Sequence, residues 1–266
     1  MNFQEELSHF TWVVEPDRPG QPTVVLVHGL NNRPETIDPI AYKLQQEGFA
    51  SIRCNLRGHY EPKKSKYLAS ADGWLEDLNL TCQEAKAKNG DGPIFAIGFS
   101  LGGTVILNHL LDNPGFQFER LVLLAPAIKL TPTCQAGPVA RLIGHLPFSI
   151  PSIAPPTHRA FTFTPLRAYK GLFDLISRLH RPEALERFRE LEVLLLIDRK
   201  DELVSARQTA KWIEHSKLDS WTIKYLNPAY GISRHRHHLI VDEQCLDSNS
   251  WKVLTESVKG HLGHRA

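Results

Sequence analysis

The sequence predicts an α/β protein in which a mostly parallel, doubly wound sheet is interrupted by an inserted cap. Three observations predict it. Short apolar runs such as Thr23–Val27, Leu121–Ala127 and Val193–Ile197 are each bounded by turn or charged residues, the pattern of strands buried on both faces. These runs alternate with amphipathic stretches of helix length, which calls for parallel strands joined by crossover helices. One long proline-rich segment then breaks the alternation.

In chain order, a strand is expected near Thr11–Glu15, ending in a Pro/Gly-rich turn, and a strongly apolar strand at Val24–His28. Pro34–Glu47 reads as a helix with Asp38, Lys43, Gln46 and Glu47 on its polar side. Phe49–Asn55 is a strand, Asp72–Lys88 an amphipathic helix, Ile94–Gly98 a strand, Leu101–Asp112 a helix and Arg120–Ala125 a strand. After the break come a strand at Leu191–Ile197, a helix at Ser205–His215, a strand at Trp221–Leu226 and a closing helix at Ser248–Leu262.

The break, residues 127–190, holds eight of the 18 prolines and nine Lys/Arg against four Asp/Glu. A structureless loop of that length does not suit a compact domain. The segment is therefore expected to be a cap with short helices at Gly171–His180 and Pro182–Arg189, burying Phe148, Ile150, Ile153, Phe161, Phe163 and Phe173. The division is then a core of residues 1–126 and 191–266 and an inserted cap of residues 127–190.

Composition bounds the class. Across 266 residues, 42% are hydrophobic and 23% charged, which argues against disordered, collagen-like and coiled-coil chains. A formal net charge of +2 lacks the basic excess of a nucleic-acid binder. Cys54, Cys82, Cys134 and Cys245 form no CxxC pair and read as thiols of a reducing, cytoplasmic compartment. No secretory signal and no integral membrane segment are expected. Oligomeric state has no signature.

Gly98-Phe99-Ser100-Leu101-Gly102 matches G-x-S-x-G between an expected strand and an expected helix, the setting in which a serine nucleophile stands on a sharp turn. A side chain at Gly98 or Gly102 would collide with the neighbouring helix or strand. Ser100 is therefore the candidate nucleophile. A serine hydroxyl needs a base, and the tetrahedral intermediate needs donors for its oxyanion. The helix N-terminus offers the Leu101 N–H. The loop Val27-His28-Gly29-Leu30 offers a second donor, Leu30, with Asn31 as the other option. His28, at a buried strand end, is read as shaping that turn.

His28-Gly29-Leu30, Asn55-Leu56-Arg57-Gly58-His59 and Gly98–Gly103 together resemble the α/β-hydrolase superfamily, in particular its serine carboxylesterases and monoacylglycerol-lipase-like members. The loop at Asn55 departs from the family's D-x-R-G-x-G pattern at Asn55 and Tyr60. The resemblance implies the triad order serine, acid, histidine, with the acid after the strand that follows the cap. Of Asp198, Asp201 and Glu202, Asp201 fits the family's acid-x-x-Val spacing with Val204. It would hold the imidazole's tautomer, leaving Asp198 to pair with Arg199 or cap the turn and Glu202 to point away.

His235, His237 and His238 compete for the base. Similar hydrolases carry an acid five positions after it, which favours His237 with Asp242; His238 is the alternative and His235 the third choice. The same cluster has the residue types of a metal site. Its one nearby acid is Asp242 and no second His/Cys cluster stands at ligand spacing, so no metal and no cofactor are expected. The implied activity is cleavage of a small-molecule carboxylic ester with an apolar acyl or alcohol group, through an acyl-enzyme. Thioesterase, acyltransferase or C–C hydrolase chemistry on the same triad is the alternative. A hydrolase-derived ligand-binding protein is the non-enzymatic one.

Overall fold

The computed structural model describes residues 8–60, 63–134, 142–226 and 237–263. Its frame is a seven-stranded sheet: β1 (Phe10–Val14), β2 (Thr23–Val27), β3 (Ala50–Cys54), β4 (Ile94–Phe99), β5 (Leu121–Leu124), β8 (Val193–Asp198) and β9 (Trp221–Leu226), in the order β1-β3-β2-β4-β5-β8-β9. Only the β1–β3 pair is antiparallel. The doubly wound parallel sheet expected from the sequence is therefore present.

Burial follows strand position. Every residue of β2, β3, β4, β5 and β8 is buried, whereas β1 and β9, at the edges, are half exposed. A strand covered by helices on both faces has no polar side, so it reads as a continuous apolar run; an edge strand alternates.

The helices that connect these strands are α1 (Asp38–Gln45), α2 (Ala71–Asn89), α3 (Leu101–Asp112) and α6 (Ala206–His215), and α7 (Ser248–Gly263) follows the last strand. The single helix expected over Pro34–Glu47 is a 3-10 turn at Pro34–Ile37 followed by α1. Pro39 sits in the first turn of α1, where its missing N–H costs no helical bond. Ser70 and Ser205 cap α2 and α6 by accepting from the N–H groups of Gly73 and Gln208.

Residues 127–190 divide into two unlike halves. The outer half carries a short antiparallel ribbon, β6 (Ser149–Pro151) with β7 (Phe163–Pro165). The inner half is α4 (Leu166–Arg178) and α5 (Pro182–Phe188). Leu172, Leu175, Leu179, Ala184 and Phe188 join the main hydrophobic core, and Asn108 of α3 donates its side-chain N–H to the Leu175 carbonyl at 3.2 Å. The expectation that the insert buries its large apolar side chains is only partly met. Phe161 is buried, but Phe148, Ile150, Ile153 and Phe163 stay exposed, Phe148 by 64%. Among the described residues the outer ribbon is only two strands wide. Among the described residues no helix is long and apolar enough to cross a membrane.

Candidate active site

Ser100 lies between the end of β4 and the start of α3 with φ of 51° and ψ of −113°. Positive φ is costly for a side-chain-bearing residue and persists only where the surroundings impose it. Here the Ser100 N–H donates to Leu124 O at 2.9 Å, and Ser100 O accepts from the Ala127 N–H at 3.1 Å. The glycines on either side make the close approach possible. A Cβ on Gly98 would stand 2.6 Å from the Gly103 nitrogen, and one on Gly102 would stand 2.1 Å from the Val27 carbonyl oxygen.

His238 faces this serine. Its Nε2 is 2.9 Å from Ser100 Oγ and its Nδ1 is 2.8 Å from Asp201 Oδ2. Asp201 is held in turn: its Oδ1 accepts the N–H groups of Leu203 and Val204, both at 2.8 Å. The Asp201 side chain is fully buried, and the His238 ring packs against Phe99 with centroids 5.1 Å apart. The relay is therefore fixed at the serine, at the ring and at the carboxylate.

The sequence favours His237 as the base, but it is not the histidine that this geometry brings to Ser100. His237 Nδ1 pairs with Asp198 Oδ2 at 2.9 Å, and its backbone N–H donates to Glu202 Oε2 at 2.8 Å. His238, the alternative, is the histidine brought to Ser100. The reason is visible at Asp242, the acid used as a spacing marker. Its Oδ2 lies 2.7 Å from His158 Nε2, so it has no bond to either candidate base among the described residues. His235 falls outside the described residues.

Of the neighbouring acids, Asp198 meets one of its two expected roles and Glu202 departs from its own. Asp198 does cap the turn, accepting the Lys200 N–H at 2.8 Å. Arg199, however, stacks over the Tyr225 ring at 4.0 Å instead of pairing with Asp198. Glu202 does not point away but anchors the histidine loop. Nothing in the sequence marked Glu202, because its partner is a backbone amide. His238 had one usable signal: it directly precedes the buried run Leu239-Ile240-Val241.

On the oxyanion side, Leu101 is the first residue of α3, so its N–H has no helical acceptor, and the helix dipole favours negative charge there. The Leu30 N–H makes no backbone hydrogen bond among the described residues. Asn31, with φ of 53°, turns the loop and sends its side chain to the insert. Its Nδ2 donates to Phe161 O at 2.8 Å, and its Oδ1 accepts the Phe161 N–H at 3.0 Å. His28 shapes the turn: Nδ1 donates to Gly29 O at 3.0 Å and Nε2 accepts the Leu56 N–H at 3.2 Å. Burial, with His59 alongside, holds its pKa well below the usual histidine value.

Ser100 and His238 open into a cavity of about 530 Å³ lined in part by residues from 127–190. Its wall is mainly apolar, with Leu30, Ile150, Ile153, Leu172 and Phe173 among the lining residues. Among the described residues Glu202 is the only carboxylate on this wall, and no lysine or arginine reaches it. The basic excess of the insert therefore lies elsewhere.

Residues 18–160 match the family described as Hydrolase_4: serine aminopeptidase, S33. The chain is 31% identical over 112 residues to lipase LipV of Mycobacterium tuberculosis, and 22% identical over 153 residues to protein phosphatase methylesterase 1 of Candida albicans. These matches cover 42% and 57% of this chain, and 40% and 42% of those proteins respectively, so the chain spans less than half the length of the curated relatives it matches. A soluble variant of monoglyceride lipase from Saccharomyces cerevisiae, solved with a substrate analogue, superposes with a TM-score of 0.76 at 16% identity, covering 96% of this chain and 90% of that one. The fold is the α/β-hydrolase fold.

Proposed function

The chain belongs to the Hydrolase_4 family, and on that premise we propose that it is a serine hydrolase that cleaves carboxylic esters bearing an apolar acyl or alcohol group. The observation that carries this reading is the relay Ser100 Oγ–His238–Asp201 at 2.9 and 2.8 Å. Ser100 Oγ attacks the acyl carbon while His238 Nε2 takes its proton. The Leu101 and Leu30 N–H groups stabilise the oxyanion. His238 then gives the proton to the departing alcohol, leaving an acyl-serine. A water deprotonated by the same nitrogen attacks that ester, and Ser100 recovers its proton as the acid leaves. Asp201 stays ionised, holds the proton of the ring on Nδ1 and stabilises the imidazolium.

The apolar wall supports the substrate class. An aminopeptidase, by contrast, must hold a substrate ammonium, and Glu202, the one carboxylate on the described wall, already accepts the His237 N–H. The relatives named as a lipase and a methylesterase support ester over peptide chemistry. In this reading residues 1–126 and 191–266 form the catalytic core, and residues 127–190 form the cap that selects the substrate.

The test is labelling by a fluorophosphonate probe, run beside turnover of p-nitrophenyl esters of graded chain length. The wild type is expected to label and to prefer the longer acyl chains, and Ser100→Ala to do neither. Absence of labelling in the wild type overturns the proposal.

A further inference from the structure

Three buried side chains converge outside the cavity. His158 comes from the insert, and Asp242 and Cys245 come from the loop that follows His238. One donor atom from each lies within 4.8 Å of the other two. His158 Nε2 is 2.7 Å from Asp242 Oδ2 and 3.2 Å from Cys245 Sγ. The far side of each group is already tied. His158 Nδ1 lies 2.8 Å from Thr157 Oγ1, and Asp242 Oδ1 accepts the Cys245 N–H at 2.8 Å. None of the three lines the cavity that holds Ser100.

We propose that His158, Asp242 and Cys245 bind a divalent transition metal of the zinc class, which clamps the insert to the loop carrying the base. The donor set is one imidazole nitrogen, one carboxylate oxygen and one thiolate, all ligands that zinc accepts. A thiolate and a carboxylate neutralise a divalent charge, so the filled site buries no net charge. The Thr157 hydroxyl can accept an Nδ1 proton, the tautomer in which Nε2 is free to ligate. The Cys245 N–H orients the carboxylate. These are the outer contacts that metal sites need.

In the metal-free arrangement hydrogen bonds among the same three groups hold them together. Metal–nitrogen and metal–oxygen bonds of about 2.0–2.1 Å, with metal–sulfur near 2.3 Å, place tetrahedral donors about 3.3–3.6 Å apart. The cluster then has to widen by less than about 1 Å. On binding, Cys245 releases its thiol proton to solvent and His158 keeps its single ring proton on Nδ1. No electron is transferred. The sequence spacing gave no hint of the site, since His158 lies 84 residues before Asp242 and 87 before Cys245.

The test is a titration of metal-stripped, reduced protein with cobalt(II), followed by displacement with zinc(II). One equivalent of cobalt is expected to produce a thiolate-to-cobalt absorption band, and zinc to abolish it and raise the melting temperature, while magnesium does neither. Cys245→Ser is expected to lose the band, and Cys134→Ser to keep it. Thr157→Val is expected to weaken binding by about 10–100-fold, the usual cost of removing an outer contact. Melting of the metal-free variants checks their folding, with His158→Gln replacing Cys245→Ser if that variant is unfolded. A wild type without the band, or a band that survives in folded Cys245→Ser, overturns the proposal. So does binding that disappears only when His235, His237 and His238 are substituted. The readout needs no ester substrate, so this proposal and the assigned activity fail separately.

Discussion

His237 and His238 are neighbours in the chain, and each faces an aspartate, Asp198 at the end of β8 or Asp201 in the turn after it, yet their surroundings differ. His238 is the more enclosed: its side chain and that of Asp201 are 8% and 0% exposed, against 19% and 9% for His237 and Asp198. Both rings present Nδ1 to a carboxylate. Only the His238 ring aims its second nitrogen at Ser100. A carboxylate partner therefore does not by itself place a histidine at the serine; the direction of the other nitrogen separates the two. The His237 pair, with Glu202 on the His237 amide, pins the loop so that the next residue arrives at the serine.

The largest effect that tests this division is loss of turnover. Ser100→Ala and His238→Ala are each expected to lower kcat by about 10⁶, the scale seen when a triad's serine or histidine is removed, whereas His237→Ala is expected to stay within about tenfold of wild type. Equal losses in the two histidine variants, measured with a p-nitrophenyl ester, would erase the distinction. Next in size is the acid. Asp201→Asn is expected to cost about 10⁴ in kcat by favouring the wrong tautomer. Asp198→Asn is expected to cost far less, and comparing the two pH–rate profiles checks that only the first disturbs the base.

A smaller effect is expected at the anchor. Glu202→Gln keeps an acceptor for the His237 N–H but loses its charge, so kcat is expected to fall by no more than about tenfold with the fluorophosphonate site still reactive. The smallest effect near neutral pH concerns His28 and His59, whose rings lack the carboxylate that backs His237 and His238. Burial lowers the His59 pKa to about 4, and that of His28 well below its usual value. The unfolded chain takes up a proton on each near 6.5, so between that pH and about 4 it binds more protons than the folded one. Their contribution to stability is complete above pH 6.5 and is lost as the pH falls, which urea midpoints across that range measure.

The elbow was legible in the sequence because its signal is local. Gly98, Ser100 and Gly102 sit within one turn, and their spacing carries a steric requirement. The buried strands were legible because a strand covered on both faces has no choice but to be apolar. The base was not, because the spacing to Asp242 measured a contact with His158 instead of one with the triad. The roles of Glu202 and Asn31 were not legible either. Glu202 binds a backbone amide, and Asn31 binds the main chain of Phe161, 130 residues on. Such partners leave no trace in residue type. The outer insert misled for another reason. Phe148, Ile150 and Ile153 are apolar enough to demand burial, but a two-stranded ribbon offers only one side to cover them, and composition does not report how many layers a segment owns.

The contact between Gly102 and Val27 has a consequence for how this protein can change. The helix that starts behind the nucleophile rests directly on the carbonyl of the strand that leads into the oxyanion loop, with no side chain between them. Two parts separated by packing atoms can drift apart and be adjusted one at a time; two parts in bare backbone contact cannot. Attack geometry and oxyanion geometry are therefore inherited as one block, and any substitution that shifts either displaces both. Residues 127–190 meet that block at more than one point, at Asn31 through Phe161 and at Ser100 through Ala127, so a change in them is transmitted to it as well.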